Sequence, residues 1–260
     1  MKKYLQFAWL SFQNLIEYRM NFAWEVFGTT LSTVIIYFFW VAVLGSGFTN
    51  SGYTPISIGL YYLFMTLVGE IAGFDFSRIA NIINSGDLGM ELVKPYNFQI
   101  KELSQNISIK LVRVVIILLI FIGLISVGFK YQFNSYNLIP IIISIIMAFF
   151  GKFYISMIIG SLGFWFKRVH GFGSLFWNLG GLFSGDLIPI DLLPRVFASV
   201  SLFLPFRYLA YFPVQIIIGR ATQLDIYKGL FLQLVWVAAF AILYKIIWSK
   251  GLAHFDAEGK

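Results

Sequence analysis

The 260-residue chain has no cysteine and only two histidines. Disulfides and thiolate metal sites are therefore excluded, and His170 and His254 are too far apart for a zinc motif. Charge is also scarce. Charged residues make up 12 % of the chain, about half the usual share of a soluble domain. Nineteen basic and twelve acidic side chains are too few to cover the surface of a soluble protein of this size. Disorder is excluded by the opposite excess: 59 % of residues are hydrophobic, 29 are phenylalanine, and mean hydropathy is +0.81. What remains is a polytopic membrane protein. The net charge of +7 then reads as a positive-inside bias rather than as a nucleic-acid surface. No cleavable signal peptide is apparent, because Glu17 and Arg19 interrupt the first twenty residues.

Long charge-free runs give the spans. Residues 26–69 carry no Asp, Glu, Lys or Arg. As one helix they would reach ~66 Å, about twice the ~30 Å hydrocarbon core. The chain must fold back, and GSGFTNSGYTP (45–55) supplies the turn. The first two spans are thus 22–44 and 56–77. A third covers 107–128, followed by the turn YQFNSYN (131–137). A fourth covers 138–166, interrupted by Lys152. The fifth and sixth are 170–188 and 228–248. Residues 189–227 hold four prolines around Arg207. A central Arg costs about 2.5–3.5 kcal/mol on insertion scales, so short helices dipping into the outer leaflet are expected there. The rival is a seventh span. The fold class is an all-α polytopic membrane protein of six transmembrane helices, with an outer re-entrant hairpin between helices five and six.

Sidedness orients the chain. With the N-terminus inside, thirteen of the nineteen basic residues fall on the inner side, and the two short outer loops hold only Lys130. Both termini are then cytoplasmic. Residues 1–21 begin with an amphipathic interfacial helix, with Leu5, Trp9, Phe12 and Ile16 at helical spacing. The inner loop 78–106 is long for a simple connection and is not disorder-like. Ile79, Ile82 and Ile83 form one apolar face there, and Leu88, Leu92 and Val93 another, which suits docking to a partner.

Two charges fall inside spans. Glu70 and Lys152 each lie about fourteen residues into spans that run from outside to inside. They should share a depth, so mutual neutralisation is expected, with a water-filled cavity as the alternative. Glu25 and Asp75 fall near the inner boundary. Gly181 and Gly185 form a GxxxG pair that nominates span five as a dimer or packing face. No Walker A, GxSxG or HExxH pattern occurs, and no paired intramembrane carboxylates are found. The chain carries no evident chemistry of its own.

Several segments, in order, resemble the permease subunit of ATP-binding cassette transporters of the ABC-2 type. The start KKYLQFAWLSFQNLIEYRMNF is similar to that family's interfacial helix. INSGDLGMELVKP (83–95) resembles its inner-loop pattern. FSGDLIPIDLLP (183–194) and LPFRYLAYFPVQIIIG (204–219) resemble its outer turn and re-entrant helices. KIIWSKGLAHFDAEG resembles its last span and basic tail. The resemblance implies a permease with no cofactor of its own. It also implies a cytoplasmic ABC ATPase dimer that holds ATP and Mg, and a second permease, identical or related. A coupling helix in the first inner loop would dock on the ATPase through Gly86, Asp87, Leu88, Leu92, Lys94 and Pro95. The implied function is ATP-driven export of a lipophilic or amphipathic substrate across the cell's cytoplasmic membrane, among its lipids. Two rivals from the residues alone are a membrane assembly factor and a lipid-modifying membrane enzyme.

Overall fold

The computed structural model describes residues 2–47, 52–126 and 137–255. Among these every regular element is helical. Most of the turn 131–137, together with Lys130 and Lys260, lies outside the described residues, as do positions 48–51 of the first turn.

α1 (Lys2–Glu17) is amphipathic and lies along α6, leaving Leu5, Trp9 and Ile16 uncovered. The helix breaks at Tyr18, where ψ reaches 34°, and α2 (Arg19–Gly45) begins. α2 is apolar on all sides and buries only Trp40, whose indole donates to the Leu187 carbonyl at 3.2 Å. α3 (Pro55–Ala72) starts on a capping box in which Thr54 and Ser57 satisfy each other's backbone N–H, with Pro55 in the first turn. Gly73 leaves the helix in extended conformation, and Asp75 caps α4 (Phe76–Asn84) by accepting from the Ser77 N–H at 2.8 Å. The expected second span, 56–77, is thus two helices with a three-residue break.

α5 (Leu88–Val93) is a single short helix. α6 (Phe98–Ser126) begins nine residues before the span expected at 107–128, because its charged first turns pack on α1. α7 (Leu138–Ser161) and α12 (Gln223–Ala253) form the central pair. Their contact is tied by Gln233, which accepts from the Ser144 hydroxyl at 3.0 Å and donates to the Ser144 and Tyr208 carbonyls at 2.8 and 2.9 Å. A buried amide in an apolar bundle needs such partners. α8 (His170–Ser184) is shorter than expected. At 1.5 Å per residue its fifteen residues span only ~22 Å, and Gly185 ends it with φ +84°.

Residues 189–227 contain a 3₁₀ turn and three short helices: α9 (Arg195–Ser201), α10 (Pro205–Leu209) and α11 (Tyr211–Ile217). A seven-residue helix rises ~10 Å, so none of these three helices crosses a hydrocarbon core; residues 223–227 already belong to α12. α11 is buried throughout and packs on α3 and α7.

Among the described residues four helical stretches are long and apolar enough to cross a membrane: Arg19–Gly45, Pro55–Asn84, Leu138–Phe164 and Gln223–Ala253. One apolar core gathers Tyr61, Val68, Val214 and Ile226 at the α9–α11 end. Another gathers Ile83, Leu88, Phe153 and Tyr244 at the α5 end. Phe76, Ile155 and Phe240 lie between them.

Candidate functional site

The first candidate is the elbow between α4 and α6. Gly86 turns the chain with φ +83°, a conformation that costs glycine little and other residues more. The Ser85 hydroxyl donates to Asp87 at 2.6 Å, fixing the entry to α5. Leu88 then drops into the apolar core beside Phe98, Phe153, Met157 and Tyr244 and is fully buried. It was expected on a docking face; it is instead the anchor that holds α5 to the bundle. The periodicity of a six-residue helix cannot say which of its apolar residues faces inward.

Glu91 clamps the other side of α5. Its carboxylate accepts from Lys94 at 3.0 Å, from the Tyr96 hydroxyl at 2.6 Å, and from Lys101. Burial pushes this carboxyl up, but hydrogen bonds from Lys101, Tyr96 and Lys94 outweigh it and hold the pKa down at about 2. α1 closes the elbow: Lys3 donates to the Pro95 carbonyl, the Asn97 N–H donates to the Tyr4 hydroxyl at 3.0 Å, and Phe7 packs edge-on against Tyr96. Met90, Leu92 and Val93 are left exposed, Val93 by 87 %. Asp87, Lys94 and Pro95 are exposed too. The elbow therefore presents a small apolar knob with a charged rim. Glu91 and Met90 were not singled out from the sequence, although the Glu91–Lys94 spacing of i,i+3 is a readable helix pair.

The second candidate is a cavity of about 580 Å³ between the end of α3 and α6, α7 and α8. Glu70, Lys110, Arg113 and Lys152 all line it, with Phe74, Ile109 and Trp177 among the apolar walls. Glu70 and Lys152 thus share a cavity, but they are not an ion pair. The Glu70 carboxylate pairs with Arg113 at 3.0 Å and accepts from Thr29 at 3.3 Å. Arg113 uses its second arm on Glu25 of α2. Lys110 donates to the carbonyls of Glu70, Ile71 and Gly73, at the negative end of the α3 dipole. Lys152, 8 % exposed, makes no ion pair among the described residues. Equal depth along two helices does not fix which way each side chain points around its axis. Arg113 enters from a third helix at the same level, and its planar fork serves two carboxylates together.

The GxxxG pair does not form one seam. Gly185 lies past the end of α8, and Gly181 faces open space. Close approach along α8 happens instead at Gly173 and Gly180, where an added Cβ would meet the rings of Phe76 and Phe206. Gly185 accepts from the Tyr61 hydroxyl at 2.7 Å. At the α9–α11 end, Asp191 gathers Tyr53, Tyr211, Gln215 and Arg220. This cluster borders a polar cavity of about 450 Å³ that Arg207 also lines. Arg207 lies over the Tyr211 ring, and Asp186 accepts from the Ser184 hydroxyl at 2.7 Å.

Among the described residues, an all-helical bundle with four membrane-length helices defines a multi-pass membrane protein. The family described as ABC-2 family transporter protein matches residues 30–259. The chain belongs to this family, whose members serve as the membrane permease part of ABC transporters. A search of the curated proteins found no match.

Proposed function

We propose that this chain is one half of an export permease whose ATPase is a separate cytoplasmic subunit. One feature carries the reading: the α4–α5 elbow, a rigid knob of Met90, Leu92 and Val93 clamped by Glu91 and α1. A docking element must transmit force, and three independent anchors (Leu88, Glu91 and Pro95) make this one stiff. The knob seats in the ATPase. ATP and Mg stay on that partner, and their turnover favours one of two permease states.

This reading takes six spans: α2, α3 with α4, α6, α7 with its 3₁₀ extension, α8, and α12. In this reading α8 is a short span extended at its far end by the 3₁₀ turn at Ile190–Leu192. α9 to α11 form the re-entrant outer segment, both termini face the cytoplasm, and the chain sits in the cytoplasmic membrane. A second permease, identical or related, completes the pathway for a lipophilic or amphipathic cargo.

Copurification tests this. The chain extracted from its native membrane in mild detergent should bring down an ABC ATPase. The double substitution Leu92→Glu, Val93→Glu should abolish that association while leaving the permease folded. Retention of the ATPase by the double variant, or its absence from the wild-type preparation, refutes the reading.

A further inference from the structure

The intramembrane cavity has an unequal charge account. Three cations line it: Lys110, Arg113 and Lys152. Arg113 is matched by Glu70 and Glu25. Lys110 is matched by the three carbonyls that end α3. Asp75 also borders the cavity, but its carboxylate is engaged with the Ser77 N–H that it caps, and the residue is exposed. Lys152 remains. Its side chain is more than nine-tenths buried, and it has neither an ion pair nor a hydrogen bond among the described residues. Asp186 and Glu70 lie within its electrostatic reach without bonding to it, and Lys110 lies within reach as a like charge. A buried ammonium facing another buried cation across an open cavity is costly, and an anion seated between them would relieve that cost.

The cavity's size and walls indicate what kind of anion. About 580 Å³ is far more than one small ion requires and falls in the range of small-molecule sites. Phe74, Ile109 and Trp177 line it beside the cations. A headgroup seated on Lys152 would therefore have these apolar walls on which to lay the start of a chain.

We propose that this cavity binds the anionic headgroup, phosphate or carboxylate, of an amphiphile, with the Lys152 ammonium as its charge partner. The Lys110 side chain, held by the end of α3, sets the positive field behind it. This names the cargo class that the permease reading leaves open and rests on that reading. The binding step itself needs only this chain.

The test uses the full chain with its copurifying partners, in a neutral detergent, titrated with dioctanoyl phosphatidylglycerol. Dioctanoyl phosphatidylcholine and inorganic phosphate are run alongside. The wild type should bind the anionic lipid at least about tenfold more tightly than the zwitterionic one, the equivalent of about 1.4 kcal/mol. Lys152→Met should remove that preference, Lys152→Arg should retain most of it, and Arg195→Gln, which removes an exposed cation elsewhere, should leave it unchanged. Displacement of the lipid by millimolar phosphate would assign the site to the anion alone; failure to displace assigns it to the chain-bearing form. Equal binding of the two lipids by the wild type, or an unaltered preference in a folded Lys152→Met variant, overturns the proposal. If the preference holds but no ATPase copurifies, the site stands and the permease reading falls. If the ATPase copurifies but the preference is absent, only the site falls.

Discussion

Arg113→Met is the sharpest perturbation of the bundle. Arg113 joins α6 to α2 through Glu25 and to α3 through Glu70. The exposed Glu25 can return to water once its partner is gone, since 58 % of its side chain is accessible. Glu70 cannot: its side chain is 16 % exposed, and Thr29 at 3.3 Å becomes its one remaining hydrogen-bond donor among the described residues. At 3.0 Å and an effective dielectric near 20, the Glu70–Arg113 attraction is about 5.5 kcal/mol before desolvation is subtracted. Leaving one member of such a pair buried alone costs about 3–5 kcal/mol. At about 2–4 °C per kcal/mol, the unfolding midpoint should drop by on the order of 10 °C. The double variant Arg113→Met, Glu70→Met should recover most of the loss, because no uncompensated charge remains. Lys152→Met should behave oppositely. Lys152 has no ion pair among the described residues to lose, so its removal should leave the midpoint unchanged or raise it. Thermal unfolding of all four proteins in one detergent, followed by size-exclusion fluorescence, measures this. If Lys152→Met destabilises and Arg113→Met does not, the carboxylate's true partner is Lys152 and the geometry of the cavity is wrong.

Other outcomes follow from the elbow and the close-packed glycines. Leu88→Ala should cost about 2–5 kcal/mol as a fully buried truncation, whereas Met90→Ala should stay within about 0.5 kcal/mol in the same unfolding assay. Glu91 is held at about 2, below its ordinary value of 4.5, so its contribution is present above pH about 4.5 and is lost as the pH falls towards 2. Limited proteolysis of the α4–α6 elbow should accelerate over that window, and Glu91→Gln should be cut at neutral pH as the wild type is in acid. Gly229→Ala should fail to accumulate in membranes, because its Cβ would lie 2.0 Å from the Phe212 ring, while Gly181→Ala, facing open space, should express normally. Thr222→Ala removes the α12 cap and should cost about 1 kcal/mol in thermal unfolding.

Much of the helix layout was legible because hydrophobic run length is a one-dimensional quantity. The start of α7 after 137, the long α2 and the Thr-Pro start of α3 follow from where charges and turn formers stand in the chain. The prolines of 189–227 likewise limited that segment to short helices. Helix ends were less legible. α8 stops at Ser184 because Gly185 adopts a left-handed turn and is held there by Tyr61, a residue more than a hundred positions earlier.

What the sequence determined by itself was the solvent of this chain: a low charge count over long apolar runs leaves no stable fold in water, whatever the packing. It also placed Glu70 and Lys152 at one level, because depth follows from counting residues along a helix. Only the tertiary structure decided their partners. Which way a side chain points depends on how each helix is rotated and which neighbour it meets, and both are set by distant contacts. Those contacts put Arg113 on Glu70, turn Leu88 into the core, and leave Lys152 alone beside a cavity.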